Sequence, residues 1–314
     1  MSHKNKKVIL TGASGAIGIA VIKKCYELGW DVCTVIRPGS QRNIRYMKQY
    51  QADIVECDLA DIHRLQEYEI CQNADYFIHL GWCGTFGEQR NDDSMQQKNV
   101  EYALSACEVA SGLGCEAFLF AGSQAEFGRV EGLLNQEVET HPENAYGRAK
   151  LEAGHRTREL CKLKGMRHIY MRILSVYGPG DGLETMVSST IRNLRDGVSP
   201  KFTPGEQLWD YLYSDDAAEA LLLSCEKGKA DRIYCLGSGT AKPLREYIEQ
   251  IGKIVNPEVA LQIGALPYGS NQVMHLCADI TALQEDTGFI PKVEFAEGIR
   301  RICMEMDQEK LYGI

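Results

Sequence analysis

No cysteine in this chain of 314 residues belongs to a Cys-x-x-Cys pair, although twelve cysteines are present. That argues against a zinc ribbon or a dithiol redox motif, and scattered thiols in a chain of this size read as reduced core residues. Basic residues are in deficit: 34 lysines and arginines against 43 aspartates and glutamates leave a net charge of −9. Such a balance argues against broad binding of nucleic acid or of an acidic membrane. No apolar run approaches a membrane span and no signal-peptide pattern is visible, so a cytoplasmic protein is expected. Internal repeats and low-complexity tracts are lacking, and no metal site is expected. The apolar fraction of 44% is ordinary and supports a sizeable core.

What is present starts with Thr11-Gly12-Ala13-Ser14-Gly15-Ala16-Ile17-Gly18. An apolar run, Val8 to Leu10, precedes it and a helical pattern, Ile17 to Leu28, follows. Strand, glycine-rich turn and helix are what a dinucleotide pyrophosphate needs. Gly12 permits the tight turn, Gly15 admits the phosphates and Gly18 lets the helix approach the strand. Ser14, Ala16 and Ile17 complete the turn and bring the free N–H groups of the helix toward the anion.

Further strands are expected over 32–36, 53–56, 75–80, 117–120 and 168–174, with long helices over 92–110 and 144–163. Short apolar strands alternating with helices predict an α/β fold, a doubly wound parallel sheet of the Rossmann type. After Tyr177 the alternation loosens at Gly178-Pro179-Gly180. Residues 1–176 are expected to form the dinucleotide-binding domain. Residues 177–314 are expected to be mostly a smaller α+β substrate lobe, with segments near 211–236 returning to the first domain. Helices are expected there over 215–225, 243–255 and 295–312.

Tyr146 and Lys150 stand four residues apart, one turn of a helix. An ammonium beside a phenol favours the phenolate, which would let Tyr146 exchange a proton near neutral pH. By spacing alone the pair could equally be two residues on a solvated helix face. Ser123 follows the fifth strand, at the edge where open α/β sheets bind ligands. With the glycine motif, the 172–180 segment and the 209–216 segment in this order, the chain resembles the extended short-chain dehydrogenase/reductases of the NAD-dependent epimerase/dehydratase family, nearly end to end. The resemblance implies that Ser123 hydrogen-bonds the reacting oxygen, Tyr146 is the general acid/base and Lys150 binds the nicotinamide ribose. It places Asp58, Leu59, Leu80, Gly81, Trp82 and Asn99 beside the cofactor, with Tyr177 and Pro179 on its nicotinamide side. Thr85, Phe86, Gln124, Ala125 and Trp209 would line the substrate site with Ser123 and Tyr146. His79 is expected to be structural. A homodimer through the 92–110 and 144–163 helices is implied by the resemblance.

NAD-preferring members carry an acid at the end of the second strand, and here Arg37 stands there, with Ser40 and Arg42 behind it. A guanidinium suits a 2′-phosphate, so NADP(H) is expected over NAD(H). The family's dehydratases carry an Asp-Glu pair after the serine or threonine, and Gln124 and Ala125 cannot do that work. Glu126, one position on, would be a poor replacement. Reduction of a keto-sugar nucleotide, most simply a 4-keto-6-deoxyhexose, is the expected reaction. The alternatives are an NAD-dependent nucleotide-sugar 4-epimerase, a reductase of a small carbonyl compound, and a non-catalytic dinucleotide-binding protein. Two diphosphate contacts of the family are replaced, by Trp209 and Ser175, which leaves Arg192 and Arg195 as candidate anchors.

Overall fold

A computed structural model describes residues 5–312, so 1–4 and 313–314 of the two expected ranges lie outside the described residues. In chain order the first elements are β1 (Lys7–Thr11), α1 (Ala16–Leu28), β2 (Asp31–Ile36), α2 (Ile44–Gln49), β3 (Asp53–Glu56), β4 (Tyr76–His79), α3 (Asp93–Gly112), β5 (Ala117–Ser123), α4 (Ala145–Lys164) and β6 (Arg167–Ile173). Then come β7 (Ser175–Tyr177), α5 (Met186–Arg195), β8 (Lys201–Phe202), β9 (Leu208–Trp209), β10 (Tyr211–Tyr213), α6 (Ser214–Lys227) and β11 (Arg232–Leu236). The last are β12 (Lys242–Pro243), α7 (Leu244–Val255), β13 (Gln262–Ile263), β14 (His275–Leu276), α8 (Thr281–Thr287) and α9 (Phe295–Tyr312).

Seven strands form one parallel sheet in the order β11-β6-β5-β4-β1-β2-β3. Its strands read as continuous apolar runs because both faces are covered. Val8 and Leu10 of β1 pack on the side of α1 and α6, while Ile9 packs on the side of α3 and α4. Ile78 and Leu119 follow the first face, and Phe77, Phe118 and Phe120 the second. Burying each such side chain is worth roughly 1.5–3 kcal/mol. The chain steps outward from β1 to β3, then returns to the other flank of β1 with β4. That reversal opens a crevice at the strands' C-terminal ends.

Gly12 sits at the reversal, with φ +73°. A Cβ on Gly12 would lie 2.8 Å from the Gly81 nitrogen, so the two loops meet only because Gly12 has no side chain. α1 ends at Gly29, which turns left-handed and lets the Trp30 N–H reach the Cys25 carbonyl at 2.9 Å.

β5 runs three residues beyond the expected 117–120, so Ser123 is its last residue. α2, α8 and the two-residue strands β8, β9, β12, β13 and β14 were not expected; elements that short carry no readable period. α6 packs against α1, and β11 pairs with β6 in the large sheet. α5, α7 and α9 enclose a second core built on Tyr177, Tyr213, Tyr247 and Phe295. Two buried aspartates tie the strands there: Asp210 accepts N–H bonds from Ser238, Gly239 and Ala278, and Asp216 accepts those of Lys292 and Val293. The twelve cysteines are free thiols, and all but Cys83 and Cys303 are buried. Among the described residues no helix is long and apolar enough to cross a membrane.

α4 is brought onto β6 at Gly154, where a Cβ would overlap the Tyr170 ring. Gly154→Val is therefore expected to cost about 1–3 kcal/mol by overpacking, read as a lower midpoint in chemical denaturation. An unchanged midpoint would show that the α4–β6 contact yields freely.

Candidate active site

Ser123 ends β5 and begins a tight turn in which its Oγ accepts the Ala125 N–H at 3.2 Å. The Ser123 N–H donates to Glu126 Oε1 at 2.7 Å. The same Glu126 carboxylate, fully buried, accepts from Arg172 Nε at 2.7 Å and from the Tyr170 hydroxyl at 2.6 Å. Arg172 and Tyr170 lie on β6, so this cluster pins the serine turn to the next strand. Burial and the Glu126 charge hold the Tyr170 phenol well above its ordinary range.

α4 delivers Tyr146 to this turn. Asn144 caps the helix by accepting the Gly147 N–H at 2.8 Å. A Cβ on Gly147 would strike the Ala125 carbonyl, so the glycine permits the contact. The Tyr146 phenol is buried beside the serine turn. Lys150, one turn on, donates from Nζ to the Ala121 carbonyl at 2.7 Å and lies 3.9 Å over the Trp82 ring. Burial pushes its ammonium down to about 7. Burial also raises the Tyr146 phenol, while Ser123 and Arg90 pull it down. The lowering expected from Lys150 is thus reversed, because desolvation of the phenolate outweighs its neighbours.

The loop after β4 forms one wall. Asn99, buried on α3, donates to the Cys83 carbonyl and accepts its N–H, both at 2.9 Å. Asn99 therefore braces this loop, with its amide already engaged. Gln96 does the same for Trp82, Gly84 and Gln89. Thr85 is half-buried and Phe86 exposed on this loop. His79 lies beneath it. Thr11 Oγ1 accepts the Gly81 N–H and hydrogen-bonds His79 Nδ1 at 2.9 Å. Burial pushes the ring down to about 3, which keeps it neutral.

The cradle at the start of α1 fits a dinucleotide. A Cβ on Gly15 would meet only the Gly12 carbonyl, at 3.6 Å, while one on Gly18 would overlap that carbonyl. No side chain caps α1, so the backbone N–H groups around Ser14, Gly15, Ala16 and Ile17 meet no competing cap. Leu80 and Gly81 adjoin Gly12, and Leu59 packs on Gly81. Asp58 caps the following turn by accepting the Ala60 N–H. Arg37 is exposed, with no ion pair among the described residues. Ser40 closes the turn, its N–H on the Arg37 carbonyl at 3.0 Å. A carboxylate reaches this turn from the neighbouring strand: Glu56 accepts the Gly39 N–H at 3.0 Å.

Other residues stand elsewhere. Arg42, Phe86 and Arg192 line a cavity of about 500 Å³ between α2, the 178–185 loop, α5 and α9, and Ser123 and Tyr146 do not line it. Arg195 pairs with Asp307, which removes it as a free anchor. The Tyr177 ring is turned into the aromatic core, its hydroxyl on the Phe295 carbonyl at 3.2 Å. Trp209 donates from Nε1 to Ser175 Oγ at 2.7 Å, so the two replaced positions contact each other. Gln124 and Ala125 lie on the serine turn, half-buried and buried.

Arg90, Gln96, Asn43 and the Glu126–Arg172 pair were missed in the sequence. Gln96 carries a readable signal, a polar residue three before Asn99 on the inward stripe of α3. Asn43 does not: it donates to the carbonyls of Ser14 at 2.8 Å and Gly180 at 3.2 Å, groups distant in sequence.

A family model described as the NAD dependent epimerase/dehydratase family matches residues 8–237. A dTDP-4-dehydro-6-deoxyglucose reductase of Escherichia coli is 24% identical, covering 96% of this chain and 98% of its own. A CDP-abequose synthase of Salmonella typhimurium is 24% identical over 98% of this chain and 100% of its own. Among solved structures, a UDP-glucose 4-epimerase of Thermotoga maritima with UDP-glucose superposes with a TM-score of 0.86. It is 22% identical, over 97% of this chain and 99% of that one.

Removing the carboxylate of the buried cluster strands the Arg172 guanidinium. Glu126→Ala is expected to cost about 3–5 kcal/mol in denaturant unfolding, with part regained in the double variant with Arg172→Met. A loss below about 1 kcal/mol would contradict the role given to the cluster.

Proposed function

This chain belongs to the NAD dependent epimerase/dehydratase family, and from that premise we propose that it is an NADPH-dependent reductase of a nucleotide-linked keto-sugar, a 4-keto-6-deoxyhexose being the first substrate to try. The observation that carries the reading is the buried Tyr146 seated by α4 on the serine turn, where Gly147 meets the Ala125 carbonyl, with no free acid beside it. Gln124 and Ala125 have no proton to exchange, and Glu126 is held by Arg172 and Tyr170. Dehydration needs a second acid/base group, while carbonyl reduction needs one proton donor.

The glycine turn and the start of α1 would hold the cofactor pyrophosphate, Asp58 and Leu59 its adenosine edge, Arg37 and Ser40 a 2′-phosphate, and Lys150 the nicotinamide ribose. The bound nicotinamide would supply the hydride. Ser123 Oγ accepts the Ala125 N–H, and its hydroxyl hydrogen would orient the substrate oxygen beside Tyr146. Tyr146 gives its phenolic proton to that oxygen. Trp82, edge-to-face with the Tyr146 ring, and the serine turn would keep water from the phenol. Thr85 and Gln124 would face the sugar.

Glu56 favours a second reading, an epimerase that retains NAD, since a carboxylate near the second strand suits ribose hydroxyls. Loss of reduced nicotinamide on adding nucleotide 4-keto-6-deoxysugars separates the two. Substrate-dependent NADPH oxidation supports the reductase. Copurified oxidised NAD with interconversion of hydroxyl sugars replaces it with the epimerase. Tyr146→Phe should lower turnover by about 100-fold or more with NADPH affinity nearly unchanged; near-normal turnover rejects the scheme. Arg37→Ala should weaken NADPH by about 10-fold or more and NADH far less, measured as dissociation constants; equal losses remove the NADP(H) assignment.

A further inference from the structure

We propose that Trp82 is a positioning residue for the reaction: its indole face seats the Lys150 ammonium, and Gln96 fixes the indole in that place. The proposal rests on Lys150 binding the nicotinamide ribose. Lys150 is 3% exposed, and among the described residues no carboxylate pairs with it. Its Nζ lies 3.9 Å from the Trp82 ring centroid and 5.2 Å from that of Phe120, and it donates to the Ala121 carbonyl at 2.7 Å. An ammonium has three N–H donors and no acceptor. The carbonyl and the indole face engage two of them, which leaves one for a ribose hydroxyl. A cation over an indole is held most strongly where water is excluded.

The indole is itself held. Trp82 Nε1 donates to Gln96 Oε1 at 2.7 Å, and the same buried amide donates to the Gly84 and Gln89 carbonyls at 2.8 Å and 3.0 Å. The Tyr146 and Phe120 rings meet the indole edge-on, with centroids 6.3 Å and 6.2 Å away. The other charged and titratable groups around Lys150 do not take this part. His79 on β4 is neutral in its buried place, and Tyr146 on α4 is a neutral phenol at neutral pH. Arg90, in the short turn Gly87–Asn91, has the same sign as Lys150 and lies over the Tyr146 ring. Glu126 on the serine turn favours the ammonium, but Arg172 at 2.7 Å already offsets its charge. Burial pushes the ammonium down to about 7, so the indole face decides how much of it stays charged at neutral pH.

The test reads the dissociation constant of NADPH across pH, by nicotinamide fluorescence and without substrate. A charged Lys150 favours the cofactor, so affinity should fall as pH rises through the Lys150 midpoint, and the fall should vanish in Lys150→Met. Trp82→Leu should lower that midpoint by about one pH unit, and Trp82→Phe by about half as much. Mono-, di- and trifluorotryptophan at position 82, which drain charge from the ring face and keep its shape, should lower it stepwise. Should Trp82→Leu not fold, the fluorinated series decides. A fall that is lost in Lys150→Met but is unmoved by the ring at position 82 overturns this proposal alone. A fall that persists in Lys150→Met overturns the ribose role of Lys150, and the proposal with it.

Discussion

The buried carboxylate of Glu126 is the group on which the placement of Ser123 rests. It lies three residues after Ser123, reaches back to that residue's N–H, and binds two side chains of β6. An isolated carboxylate without solvent would be costly, and here a guanidinium, a hydroxyl and a backbone N–H all satisfy it. The turn that carries Ser123 is therefore tied to the sheet through β6. Gly147 and Gly154 let α4 settle against the turn and against Tyr170, which places Tyr146 by packing rather than by a long flexible contact. The acid one position beyond the dehydratase pair is thus structural.

A second constraint joins the halves of the molecule. Asn43 bridges the cofactor turn at Ser14 and the loop at Gly180, and Asp210 gathers the ends of β9, β11 and β14 around one carboxylate. The 500 Å³ cavity lies beside the first bridge, and neither Ser123 nor Tyr146 lines it.

Much of this was legible in the sequence where a local rule applied. β1, the glycine turn and α1 follow from apolar period and from backbone constraints at Gly12 and Gly18. Tyr146 and Lys150 follow from helical spacing. What was not legible depends on contacts distant along the chain. Arg90 meets Tyr146 only because Gln96 folds the loop back. Glu56 reaches Gly39 only because β3 lies beside β2. The direction of the Tyr146 shift failed for a different reason: spacing shows the ammonium but not the desolvation that opposes it.

Trp209 and Ser175 have a consequence for how this site tolerates substitution. The indole N–H and the hydroxyl satisfy each other at 2.7 Å in a half-buried wall. Altering either one alone leaves a polar group without its partner, at about 1–3 kcal/mol. Changing both together avoids that cost, so the two positions act energetically as a linked pair of letters rather than two independent ones.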